Sequence, residues 1–221
     1  MSTLNLSDIE RLKNHPDTKS ALIQYEYNVL GLEESYSSFV ERINSEIDNI
    51  IQKLEAASNY YQTACEDSLT YYICSCLQQR SINAEHGSYS NGETDLKVSY
   101  GSYKWIAEAK WFRQYENAYE GMRQLVTRYI SGRGSSNHGA VILYNKTSNS
   151  AEKIKTLQNN YSEMGAEFKN IQVTAVVPGS FEFTTTHTHS SGENIVVRHR
   201  LVLLHHNPED KSGRKSKIDE K

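Results

Sequence analysis

The sequence predicts an α/β protein, with a central mixed β-sheet flanked by helices and an N-terminal helical region in front of it. Segments of helical period alternate with short apolar runs in the order helix, strand, hairpin, helix, strand, helix, strand, hairpin, the pattern of a sheet covered by helices. Proline occurs only at Pro16, Pro178 and Pro208, so the long interval between the first two lacks the strongest helix breaker. Gly101-Ser102 separates two apolar segments and suits a two-residue hairpin turn.

Two helices are predicted in residues 1–58. The first covers residues 18 to 30 and breaks at Gly31. In the second, Tyr36, Val40, Ile43, Ile47, Ile50, Leu54, Ala57 and Tyr61 alternate spacings of four and three, forming a heptad seam. Such a seam closes against the first helix or against a second copy of the chain, and the pattern favours neither. A further helix from Tyr60 to Arg80 carries Cys65, Leu69, Tyr72, Ile73 and Cys76 as its apolar stripe, with Glu66 beside it. Residues 82 to 88 read as a strand, and Tyr89 to Gly92 as a turn.

Beyond the hairpin, Tyr115, Ala118, Tyr119, Met122, Val126, Tyr129 and Ile130 mark an amphipathic helix. Its other side carries Asn117, Gly121, Gln124 and Arg128, where the glycine permits close approach. Gly132 to Gly139 is a Gly/Ser loop without the Gly-Lys-Ser/Thr ending of a nucleotide P-loop. Ala140 to Tyr144 reads as a strand, residues 151 to 165 as a helix, Ile171 to Val177 as a strand, and Phe181 to Thr186 with Ile195 to Leu204 as a closing hairpin. The polar tail, residues 207–221, is expected to be disordered.

With 221 residues, a hydrophobic share of 37% and a charged share of 23%, the chain suits one soluble domain with an appendage. No apolar run nears the roughly 20 residues of a membrane span, and no signal pattern opens the chain, so no membrane is expected and the cytoplasm is the predicted location. Cys65, Cys74 and Cys76 form neither a disulfide framework nor a zinc pattern. The net charge of −3 hides an uneven distribution. Residues 1–70 hold twelve acids against five Lys or Arg, whereas residues 95–133 hold seven Lys or Arg against four acids. A local basic surplus favours a polyanionic partner, because phosphate neutralisation is a local effect.

That surplus surrounds two acids. If Gly101-Ser102 forms a type II′ turn, Tyr100 pairs with Tyr103 and Asp95 falls opposite Glu108. Side chains repeat every two residues, so Lys97, Lys104 and Lys110 share the face of the two acids. The other face carries Leu96, Val98, Tyr100, Tyr103, Trp105, Ala107, Ala109 and Trp111 and is expected to be core. Facing carboxylates at about 5 Å repel by roughly 3 kcal/mol at an effective dielectric of about 20. A hard divalent cation such as Mg²⁺, typically held by one or two carboxylates, offsets that repulsion.

Glu66 on a helix, Asp95 after a turn, Glu108-Ala109-Lys110 on the paired strand and a following helix bearing Gln124 together resemble the PD-(D/E)xK nuclease superfamily. The resemblance spans roughly residues 60 to 145 and implies a restriction-endonuclease-like core within residues 59–206. It also implies hydrolysis of phosphodiester bonds with Mg²⁺, replaceable by Mn²⁺. Carried onto this chain, Asp95, Glu108 and the Ala109 carbonyl are metal ligands, and Lys110 positions or activates the attacking water. Glu66 assists through a water or second metal, and Gln124 is an active-site helper. Lys97, Lys104, Arg113, Arg123 and Arg128 are the expected nucleic-acid contacts.

Thr94 stands where the family's name has proline, and Gln124 is followed by Arg128 at the spacing where some relatives have tyrosine. Glu167-Phe168-Lys169 also fits Glu-x-Lys but lacks a facing acid on a preceding hairpin strand. The implied activity is that of a DNA endonuclease in restriction or antiphage defence, acting on double-stranded DNA. A homodimer or a partner protein is expected through the N-terminal helices. Two alternatives are a nuclease-fold scaffold or binding subunit without turnover, and an RNA-directed nuclease. His187, His189, His205 and His206 are expected to be exposed near turns, and His138 to lie near the site within reach of phosphate.

Overall fold

The structure, a computed structural model, describes residues 6–15, 18–26, 35–89, 93–165 and 167–208. It contains a seven-stranded mixed sheet between two layers of helices. The helices are α1 (Leu6–Lys13), α2 (Lys19–Tyr25), α3 (Tyr36–Ala56), α4 (Glu66–Gln79), α5 (Tyr115–Gln124) and α6 (Ser150–Glu163). The strands are β1 (Asn83–Tyr89), β2 (Glu93–Tyr100), β3 (Tyr103–Trp111), β4 (His138–Asn145), β5 (Gln172–Val173), β6 (Glu182–Thr188) and β7 (Asn194–Leu203). Their spatial order is β1-β2-β3-β4-β7-β6-β5. The pairs β3–β4 and β4–β7 are parallel and the others antiparallel.

The predicted element order from α4 to β4 is observed, with one change at its start. The helix expected from Tyr60 to Arg80 is interrupted, and α4 begins at Glu66, with the Cys65 side chain accepting the Ser68 N–H as N-cap. Cys65 is therefore exposed instead of lying on an apolar stripe. The strand expected over Ile171 to Val177 shrinks to the two residues of β5 and an isolated bridge at Val177. Gly31 and Gly92 lie outside the described residues, as does the tail from residue 209.

The heptad seam of α3 meets the first helix only at its edge, where Ser20 Oγ donates to Glu46 Oε1 at 2.9 Å and Ile23 packs on the same core. Phe39, Ile43, Ile47, Ile50, Ile51 and Leu54 are buried in one core with α4 and the β2–β3 hairpin, and α3 contacts β3 and β7. A sheet face can satisfy a helical apolar stripe as well as another helix does. On the opposite face, α5, the turn after it and α6 cover Ile106, Val141, Leu143, Val197 and Leu201.

Both faces of β3 are consequently covered along its middle, so the face expected to carry the two acids lies against α5. From Trp105 to Ala109 every residue is buried. Central parallel pairing makes this so, since β3 has a parallel neighbour and helices above and below. The hairpin turn is as expected: Tyr100 pairs with Tyr103, and Gly101 takes φ +55° while Ser102 does not take a positive φ, the type II′ pattern.

Candidate active site

The site forms where β2 stops following its neighbours. The β2–β3 register runs from Tyr100–Tyr103 to Leu96–Ala107 and then ends, and the β1–β2 register omits Asp95. Opposite Asp95, β1 carries Gly87 at φ +63°, a backbone conformation that disrupts the regular ladder. Freed from regular pairing, Asp95 sends Oδ2 to the Ala109 N–H at 2.8 Å. The buried Thr94 anchors the preceding residue, donating its hydroxyl to the Ser88 carbonyl at 3.0 Å. A hydrogen-bonding side chain thus holds the position at which the resembled motif has proline.

Glu108 is 2% exposed, and its Oε1 has no hydrogen-bond partner among the described residues. Its Oε2 accepts from Lys110 Nζ at 3.0 Å, and the same ammonium lies 3.6 Å from Asp95 Oδ2. Burial raises the Glu108 carboxyl to about 7, helped by the charge of Asp95 and opposed by Lys110. Burial works to lower the Lys110 pKa, but Glu108 and Asp95 overcome it and hold the group above its ordinary value. The three side chains form one coupled cluster, although the ladder ends one residue before Asp95 would pair with Glu108.

Glu66 reaches the same strand end from α4, accepting the Trp111 N–H through Oε2. Burial pushes its carboxyl up, while the Trp111 amide and Lys110 pull it down. Three acids therefore attend consecutive positions of β3, each with a donor in the chain. Among the described residues no three His, Cys, Asp or Glu side chains are grouped closely enough to hold a metal by themselves.

Helix α5 closes the cluster from the other side. A Cβ added at Gly121 would lie 3.3 Å from Lys110 Cγ and 3.7 Å from Glu108 Cβ. The predicted close approach of this glycine is thus made to the charged strand residues themselves. Gln124 follows one turn later, with a buried Oε1 that has no partner among the described residues. After it the helix widens into a π-helical turn, Leu125–Tyr129, from which the Tyr129 hydroxyl donates to the Glu93 carbonyl at 2.9 Å. That turn ties α5 to the start of β2. Tyr129 stands one residue beyond the Gln-x-x-x-Tyr spacing counted from Gln124, and no motif marks Gly87, for which an isolated glycine in a strand is the available signal.

The basic residues divide. Lys97 is paired with Glu85 at 3.0 Å on the neighbouring strand, and Arg123 with Glu167 at 3.0 Å, so two of the five expected contacts are engaged within the chain. The other three, Lys104, Arg113 and Arg128, are exposed. His138 does not face the site: it packs against Tyr36 on the α3 side of the sheet, whereas Glu108 lies on the α5 side. His187 departs further from expectation, being 3% exposed on β6. Compared with family models, curated proteins and solved structures, the chain matches none of them.

Proposed function

We propose that this protein is a Mg²⁺-dependent nuclease that hydrolyses phosphodiester bonds at the Asp95–Glu108–Lys110 cluster. The observation that carries the reading is Glu108: a buried carboxylate with one unpartnered oxygen, beside a second acid and an ammonium. The donor chemistry fits a hard cation. Mg²⁺ needs only one or two carboxylates and keeps waters and substrate phosphate in its other positions, so a three-acid cage is not required. Asp95 and Glu108 would hold it. The Ala109 carbonyl would add a third oxygen, since a strand residue's N–H and C=O project to the same side and Asp95 bonds that N–H.

When bound, the metal would supply a hydroxide-like nucleophile and stabilise charge on the phosphoryl oxygens. Lys110 contributes a fixed positive charge beside the acids, directing an attacking water and offsetting the negative charge of the transition state. Glu66 and Asp95 hold the end of β3 through two of its backbone amides, which keeps Lys110 in position. Burial of Glu108 excludes bulk water and strengthens each of these interactions. The α4-β1-β2-β3-α5-β4 order supports the restriction-endonuclease-like core that the resemblance implies.

DNA is the substrate of this proposal, with exposed Lys104, Arg113 and Arg128 as phosphate contacts and restriction or antiphage defence as the role. A two-fold dimer suits double-strand cleavage by a single-site enzyme, but the α3 seam is already covered, so α1, α2 or another surface would form it. Sedimentation showing only monomer at micromolar concentration would remove the dimer. One observation favours a second reading, a binding subunit without turnover: each acid already has a donor in the chain.

One experiment decides between them. Supercoiled plasmid, linear DNA and RNA are incubated with the protein and Mg²⁺ or EDTA, beside Lys110→Ala. Cleavage that needs Mg²⁺ and is lost in the variant supports the nuclease, and the substrate cut separates DNA from RNA. Cleavage surviving EDTA or equal in Lys110→Ala sinks the mechanism, and binding of DNA without cleavage favours the second reading.

A further inference from the structure

A cavity of about 800 Å³ opens on the α5 side of the sheet, between the π-helical turn, the segment around Phe168 and the end of β6. His187 lines it. The side chain is 3% exposed, and neither ring nitrogen has a hydrogen-bond partner among the described residues. A buried polar ring left unpaired is costly, and a group bound from outside the chain is one way to satisfy it. Phe168 stands beside it with ring centroids 5.3 Å apart, and Val126 adds an apolar wall. Lys169 is exposed on the lining, and Arg123 adds a second cation, paired with Glu167.

We propose that this cavity binds a small ligand with a nitrogen heterocycle at one end and an anionic group at the other, the chemistry of a mononucleotide. Burial lowers His187 to about 4, so its ring is neutral near pH 7 and offers one donor and one acceptor. The two nitrogens point in divergent directions, so one of them, as donor or acceptor, would meet a single polar group on the edge of a nucleobase. Phe168 and Val126 provide apolar surface for the face of the base, and Lys169 with Arg123 would receive the phosphate. The volume falls within the range of small-molecule sites, about 300 to 1,000 Å³. A metal is the weaker occupant: among the described residues no three ligating side chains gather here, and His189 Nδ1 is engaged with Ser191 Oγ at 2.9 Å.

The test uses the full chain and four probes, the 5′-monophosphates of adenosine, guanosine, cytidine and uridine, with the matching nucleosides and ribose 5-phosphate as halves. Thermal shift and titration calorimetry read binding. At least one nucleotide should stabilise the protein at millimolar concentration, with its nucleoside and ribose 5-phosphate weaker. His187→Phe should weaken the nucleotide about tenfold, the value of one good hydrogen bond. Lys169→Ala should weaken the nucleotide more than the nucleoside, and this exposed change carries the test if His187→Phe does not fold. Lys110→Ala should leave binding intact. No binding by any of the four, or binding insensitive to both cavity changes, overturns the proposal, as does binding lost in Lys110→Ala.

Discussion

Lys110 Nζ lies 3.0 Å from Glu108 Oε2 and 3.6 Å from Asp95 Oδ2, so a single ammonium serves two acids. Removing it has two effects that can be measured apart. In Lys110→Met the positive charge beside the phosphoryl group is lost, and DNA cleavage should fall by at least about 10²-fold, the lower range for a positioned acid–base group. Glu108 simultaneously loses what lowers its pKa, so Mn²⁺ binding followed by calorimetry should shift to higher pH. Cleavage falling while metal binding keeps its pH profile would mean that Lys110 acts on the substrate alone.

Glu108 also gives the protein a pH signature. Its ordinary value is 4.5 and its folded value about 7. An acid raised on folding binds its proton more tightly in the native state, so its contribution is fully present below pH 4.5 and is lost as pH rises through 7. The displacement corresponds to roughly 3 kcal/mol. Glu108→Gln keeps the shape and abolishes the titration. In urea unfolding without divalent cations, the variant should gain stability over the parent between pH 5 and 8, by up to about 3 kcal/mol. A constant difference across that range would show that Glu108 is not desolvated as its burial implies.

Gly121 sets the distance between α5 and the charged strand. A methyl there would lie 3.3 Å from both Lys110 Cγ and Val141 Cγ1, so Gly121→Ala requires each to give by a few tenths of an ångström. The helix itself gains about 1 kcal/mol from alanine, which offsets the crowding. Expected is a stability change within about 1 kcal/mol, with cleavage reduced about tenfold because Lys110 moves. Equal cleavage at unchanged stability would show that the lysine stem adapts without displacing its ammonium.

These relationships differ in how far the sequence reveals them. The approach of Asp95 to Glu108 was legible because a two-residue turn and a period of two carry the ladder to Leu96–Ala107. The departure of Asp95 from pairing, with its carboxylate on the Ala109 amide, was not. The covered second face of β3 was not legible. Ile106 is the only large aliphatic on that side, and its burial depends on α5 and β4, which pack there from later in the chain. Likewise, the α3 seam specified an apolar stripe but not what covers it, since a helix and a sheet face bury the same pattern. His187 lies inside because strand pairing extends through it to Thr188, and the turn that Ser190-Ser191-Gly192 marks begins only beyond that point.

That buried imidazole and its neighbour on β7 shape the acid side of the stability curve. His199 is fully buried, with Nε2 3.0 Å from Thr185 Oγ1 and its ring 4.6 Å from Phe183. Burial lowers it to about 3, and lowers His187 to about 4, from an ordinary 6.5. A histidine depressed on folding binds its proton more readily when unfolded, so its contribution is full above pH 6.5 and is lost as pH falls toward the folded value. This opposes Glu108 between pH 4.5 and 6.5, and the two are separated by substitution. His187→Phe should flatten the acid limb by about 3 kcal/mol between pH 7 and 4, measured by urea unfolding, with Glu108 still titrating. His199→Phe should flatten it further toward pH 3, at the cost of the Thr185–His199 hydrogen bond, whose loss lowers stability at every pH by about 1 kcal/mol while Thr185 keeps the Val197 carbonyl. An acid limb unchanged in both variants would mean that these rings protonate without unfolding the sheet, and the buried pair would then have to reach water through the cavity beside Phe168.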